Sequence, residues 1–369
     1  MFKKRTIPWV LIFIITVAVF VRLYGLNLEL LSPEQKTSIL LSVSAGVLSV
    51  VGLYFLVKEL FDEKLAAISS FLLAVSFWHI LVSKLGIKDI FTSFALIFTF
   101  YFIWCGLKYS RTFNFFLAGL FLGAGFYAGK GFILAPVVVL LVFWNYWDYI
   151  KKDFSLSKYE QTKTGVLRGF SLLMLTTLTV AIPIGFYFWQ NPSFLLSVNN
   201  SVFTEPNPFS QIRDNLEWVV DKIVLIEFGP PAGGANLISW PLSIFFVIGF
   251  IKEFIHWIKR KHGHFSVIHT FIFSWLFIML IPTLLSSEPL AANGAEPSII
   301  GLSIILPIII LLSAKGLWWI IEKLNKWGHL TYLRPHKYHV GLDVGPLLAM
   351  LALLISISIL EISRLIPLN

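Results

Sequence analysis

Long apolar runs, broken by short polar interruptions, set the pattern of this chain. Runs near 8–24, 37–57, 65–83, 89–107, 113–129, 131–147, 169–189, 237–255, 265–285, 297–321 and 344–363 stand between charges or turn residues. Several approach the ~20 residues that a helix needs to cross a hydrocarbon core. The pattern predicts an all-α integral membrane bundle of about eleven transmembrane helices. It is read as a single polytopic membrane domain over 1–369, with no low-complexity linker to a second one. The first run follows Lys3, Lys4 and Arg5 but no small-residue cleavage pattern follows it, so it is read as a retained span rather than a signal peptide. The longest interruption, 190–236, has Asp214, Glu217 and Asp221 at helical spacing among Leu216, Trp218, Val219, Val220 and Ile223. That mixture predicts a helix lying in the membrane interface.

Composition agrees with the pattern. The 369 residues are 57% hydrophobic and 13% charged, against roughly 25% charged in soluble domains. A soluble two-domain enzyme is thereby excluded, and the single cysteine, Cys105, excludes a disulfide framework. The net charge of +9 does not imply nucleic acid, because the basic residues are scattered over loops between apolar runs. Their distribution sets orientation instead. With eleven spans, 21 of the 29 Lys and Arg fall on the side of the N-terminus, which predicts a cytoplasmic N-terminus and an extracytoplasmic C-terminus. The lipid bilayer is the first partner implied, and the expected location is a prokaryotic plasma membrane with the site on its outer side.

Few residues invite chemistry. The chain has no nucleotide-type phosphate loop, metalloprotease helix or nucleophile elbow. Histidines 256, 262, 264, 329, 336 and 339 fall among Lys and Arg and read as solvated loop residues rather than metal ligands. Ionisable groups at the outer ends of spans say more, because charge at membrane depth is costly and tends to be functional. Lys84 and Lys88-Asp89 lie in one short turn, and Lys130 stands between Gly129 and Gly131 in another on the same side. Together they would suit a phosphate with a lipid tail; equally, the lysines would serve as ordinary interfacial anchors. Asn236, Glu288, Asn293 and Glu296 add polar groups on that side, the carboxylates reading chiefly as solvated. Glu361 and Arg364, one helical turn apart, read as a local ion pair.

Several segments together resemble a known family. They are Arg22-Leu-Tyr-Gly-Leu, the stretch from Gly46 to Phe61, Ala74-Val-Ser-Phe-Trp-His-Ile-Leu-Val-Ser-Lys84, and Gly119 to Gly131, followed by Asn236 to Pro241 and Asn293 to Gly316. The chain is similar over about 20–320 to membrane glycosyltransferases of the protein mannosyltransferase and aminoarabinose transferase type, which have the GT-C fold. The resemblance implies transfer of a sugar from a polyprenyl-phosphate carrier to an extracytoplasmic protein, lipid or glycan acceptor, as in protein glycosylation or cell-envelope assembly. It implies a phosphate role for Lys130, with Lys84 and Lys88 beside it, and a catalytic place for Asp89. Asn236, Glu288 and Asn293 become candidate substrate contacts. No cofactor is implied with certainty, a divalent cation being used by some relatives and not by others.

One departure from the family matters. Its members carry Asp-Glu in a long loop after the first span, whereas this chain has only Asn27 to Lys36, with Glu29 and Glu34 as the available carboxylates. If neither replaces the missing acid, general-base assistance of ~100- to 10,000-fold is lost. A catalytically inactive relative that binds lipid-linked sugar, or scaffolds glycan assembly, is therefore the second reading. A transporter or flippase is the third, though no internal repeat supports it.

Overall fold

The computed structural model describes residues 9–26, 32–86, 88–191, 207–224, 236–259, 263–285, 301–331 and 344–365. Among these residues every regular element is helical: α1 (Trp9–Leu23), α2 (Pro33–Leu60), α3 (Glu63–Val75), α4 (Phe77–Lys84), α5 (Asp89–Tyr109), α6 (Thr112–Gly125), α7 (Ala135–Asp153), α8 (Leu156–Gln190), α9 (Pro208–Val224), α10 (Trp240–Lys259), α11 (His264–Leu284), α12 (Leu306–Thr331) and α13 (Val344–Ser363). Short 3-10 turns, Lys130–Leu134 and Leu302–Ile304, precede α7 and α12. Each predicted apolar run corresponds to a helix, or to a helix with its adjoining short element. Seven helices are long and apolar enough to cross a membrane, or eight if α3 and α4 count as one span bent by 53°. Helices α1 and α6 are apolar but shorter.

Local chemistry explains the boundaries that the apolar pattern misplaced. Helix α2 starts four residues before its apolar run because Ser32 and Gln35 form a reciprocal capping box and Pro33 takes the first turn. Helix α8 extends the run at 169–189 by a polar stretch from Leu156. His256, expected in a loop, lies within α10, and His264 opens α11 with its ring edge-on to Trp104 and Tyr149.

Helix α12 is the centre of the bundle. Leu306 and Ile308 through Leu312 are fully buried, as expected of a helix that is apolar all round. It meets α10 at a glycine pair. A Cβ on Gly249 would come within 1.9 Å of the Leu312 carbonyl oxygen, and one on Gly316 within 2.0 Å of that of Phe245. The two backbones touch because neither residue has a side chain. Gly119 and Gly123 play the same part where α6 crosses α8 at Leu173 and Val180.

Polar contacts join the helix ends in two groups, as alternating spans require. At one end Glu59 accepts from Lys108, and Lys64 lies over Trp318. Just inside that end, Glu253 Oε2 accepts from Lys315 Nζ at 2.7 Å and from His269 Nε2 at 2.8 Å. The other end carries the turns at 84–89 and 129–131.

Candidate functional site

The α3–α4 break shapes this end of the bundle. Ser76 is extended (φ −62°, ψ 124°) between the two helices and frees backbone groups at membrane depth, where each needs a partner within the protein. Two ionised side chains supply them. Arg22, fully buried, donates from Nη1 to the Ala74 carbonyl at 3.1 Å and from Nη2 to His79 Nδ1 at 2.6 Å, bridging both sides of the break. Since a guanidinium only donates, His79 Nδ1 accepts and its proton sits on Nε2. Glu361, equally buried, accepts from the Phe77 amide at 2.8 Å and from the Ser239 amide at 2.7 Å. One carboxylate thus caps the N-termini of α4 and α10 at once, where the helix dipoles favour negative charge. Its role goes beyond the local ion pair expected from sequence. Arg364 holds Glu361 at 3.5 Å, donates to the Asn236 carbonyl and stacks over Phe77.

The break aims α4 at the first candidate turn. Lys84, the last residue of α4, donates to the Tyr24 carbonyl at 2.7 Å, so its ammonium ties α4 to the end of α1. Gly86 follows with φ +67°, a left-handed conformation that glycine adopts at no cost. Ser38 of α2 donates to the Gly86 carbonyl at 3.3 Å. Glu34 is four residues earlier on the same helix face, exposed in the first turn of α2. Lys88 is exposed and Asp89, half-buried, begins α5.

The second turn is fastened from beneath. The ring of buried Phe132 lies on Gly125, where a Cβ would come within 2.0 Å of it, and meets Phe126 edge-on. The intervening backbone crosses the start of α5: a Cβ on Gly129 would stand 3.7 Å from Asp89 Oδ1 and 3.5 Å from Thr92 Oγ1. The next residue, Lys130, opens the 3-10 turn. Ser93 donates to the Ser303 carbonyl at 2.6 Å, and Trp275 to that of Ile304 at 3.0 Å, which brings the start of α12 against the same place.

The structure therefore brings together the two turns that the sequence paired, with Asp89 at their junction and the start of α2 alongside. Lys84 is engaged with α1 through the Tyr24 carbonyl. The Asn236 carbonyl accepts also from Trp78 Nε1 at 2.7 Å. Glu29, Glu288 and Asn293, with Glu296, lie outside the described residues. Among the described residues no three of His, Cys, Asp and Glu come together to hold a metal. Arg22, His79 and Thr92 were not singled out from sequence. A lone His and Arg within apolar runs were the only signal for the first two, and Thr92 gave none.

Residues 6–159 match the family profile described as dolichyl-phosphate-mannose-protein mannosyltransferase, and both turns lie within that match. No curated protein matches the chain. Among solved structures, the apo oligosaccharyltransferase of Archaeoglobus fulgidus superposes with a TM-score of 0.58 at 14% identity, covering 98% of this chain and 56% of that one. The same enzyme tethered to an acceptor peptide with the NVT sequon gives 0.51 at 15% identity, over 96% and 46%. Its complex with an inhibitory peptide and a dolichol-phosphate gives 0.50 at 13% identity, over 96% and 51%. This chain spans about half the length of these structures. At such identities the likeness concerns the fold alone, and the family profile supports the resemblance stated from sequence over residues 6–159.

Proposed function

We propose that this protein, built on the GT-C fold, transfers a sugar from a polyprenyl-phosphate carrier to an acceptor on the extracytoplasmic side of the membrane. The observation that carries the proposal is the junction of Asp89 with the Gly129–Lys130 turn, alongside the helix start that bears Glu34. The family profile covering that junction and the dolichol-phosphate bound by one structural neighbour support the same donor chemistry. The acceptor is a protein, a lipid or another glycan.

In this reading the lipid phosphate lies at the two turns, where Lys88 and Lys130 offset its charge, and its tail passes between helices. The acceptor oxygen attacks the anomeric carbon as the bond from that carbon to the phosphate oxygen breaks. The electron pair leaves with the polyprenyl phosphate, and the acceptor proton passes to a carboxylate, Glu34 or Glu29, with Asp89 orienting the sugar.

Proteoliposomes supplied with dolichyl phosphate mannose and a membrane extract as acceptor test the proposal. Release of dolichyl phosphate by the wild type, reduced ~10- to 150-fold in Asp89→Asn, is the expected result. Binding of the lipid without turnover of any lipid-linked sugar would replace the proposal with the reading of an inactive carrier-binding relative.

A further inference from the structure

Gly129 has no conformational or packing reason to be glycine. Its backbone is extended (φ −178°, ψ 159°), a conformation open to any residue. A Cβ there would make only ordinary contacts, at 3.5 and 3.7 Å. Gly86 and Gly125 differ, the first needing positive φ and the second lying under the Phe132 ring. What the missing side chain leaves facing Gly129 is a pair of oxygens one helical turn apart on α5, Asp89 Oδ1 and Thr92 Oγ1. Thr92 is 3% exposed, and its hydroxyl makes no hydrogen bond among the described residues. A buried hydroxyl without a partner is uncommon and calls for one.

We infer that Gly129, Thr92 and Asp89 form a socket for a hydroxyl group of the transferred sugar, so that Thr92 and Gly129 help to choose the donor. This deepens the proposed function and rests on it. The carboxylate accepts the hydrogen bond of the sugar hydroxyl's one proton, and the Thr92 hydroxyl donates to the sugar oxygen, leaving all three groups satisfied. The phosphate does not enter the socket itself, where Asp89 would repel it, but stays at the lysines of the two turns beside it. A cation would find two protein oxygens where six or more ligands are usual. Glycine at 129 lets the sugar ring approach the backbone, and a methyl group would stand where its oxygen enters.

The test compares dolichyl phosphate, dolichyl phosphate mannose and dolichyl phosphate glucose binding to the purified protein in nanodiscs. The wild type should prefer one sugar-bearing lipid over dolichyl phosphate by about 3- to 10-fold, the range for hydrogen bonds made with buried partners. Thr92→Val should abolish the preference while leaving dolichyl phosphate affinity and thermal stability unchanged, Gly129→Ala should abolish it as well, and Thr92→Ser should retain it. A wild type without preference, or a preference that survives in Thr92→Val, overturns the inference while leaving lipid-phosphate binding intact. A wild type that binds none of the three lipids overturns the proposed function and the inference with it. If Gly129→Ala proves unstable, the Thr92 pair decides alone.

Discussion

The residues that matter divide by the kind of partner they have. Asp89 and Lys130 interrupt apolar sequence in short turns, and that interruption alone made them legible. Arg22, His79 and Glu361 were not legible in the same way, because their partners are backbone groups or rings brought close only by folding. The proposed base follows the first logic. Of Glu29→Gln and Glu34→Gln, the variant that removes the acceptor's base should lose ~100-fold or more of transfer while still binding donor, measured as kcat against KM. Equal activity in both variants would remove this loop from the mechanism. Lys130→Met keeps the apolar stem and removes the charge. Its affinity for dolichyl phosphate should fall by about 1–3 kcal/mol, or ~5- to 150-fold, with Lys222→Met as the unaffected control. An unchanged affinity in a titration of the purified protein would make Lys130 an interfacial anchor.

Among the elements, the α3–α4 break has the widest consequences. The apolar pattern read 65–83 as one span, since neither Gly nor Pro marks the bend. The break exists because side chains from α1 and α13 take up the backbone groups that it frees. Glu361→Gln keeps the size but turns an amide NH2 toward one of two backbone donors. It should lower thermal stability in detergent by about 1–3 kcal/mol. An unchanged unfolding temperature would show that the double cap contributes nothing. Helix crossing gives a second expectation: Gly316→Leu forces α10 and α12 apart and should prevent recovery of folded protein, whereas the same change at Gly165, where a Cβ meets nothing, should be tolerated.

Across the bundle, the apolar runs conveyed the helices. Sidedness rests on the count of Lys and Arg. In a Cys105→Ala background, single cysteines replacing Ser210 and Ser287 should react with an impermeant thiol reagent in intact cells, and those replacing Ser157 and Thr331 should not. Reaction at 157 would invert the orientation. The proposed chemistry depends above all on a lipid phosphate sitting at the lysines of the turn after α4 and the turn after α6. Photo-crosslinking with a diazirine-bearing dolichyl phosphate, mapped by mass spectrometry, locates that phosphate. Label should appear in peptides spanning 84–92 and 128–134, displaced by excess dolichyl phosphate mannose. Displaceable label confined to the opposite end, around Lys252 and Lys315, would contradict this placement.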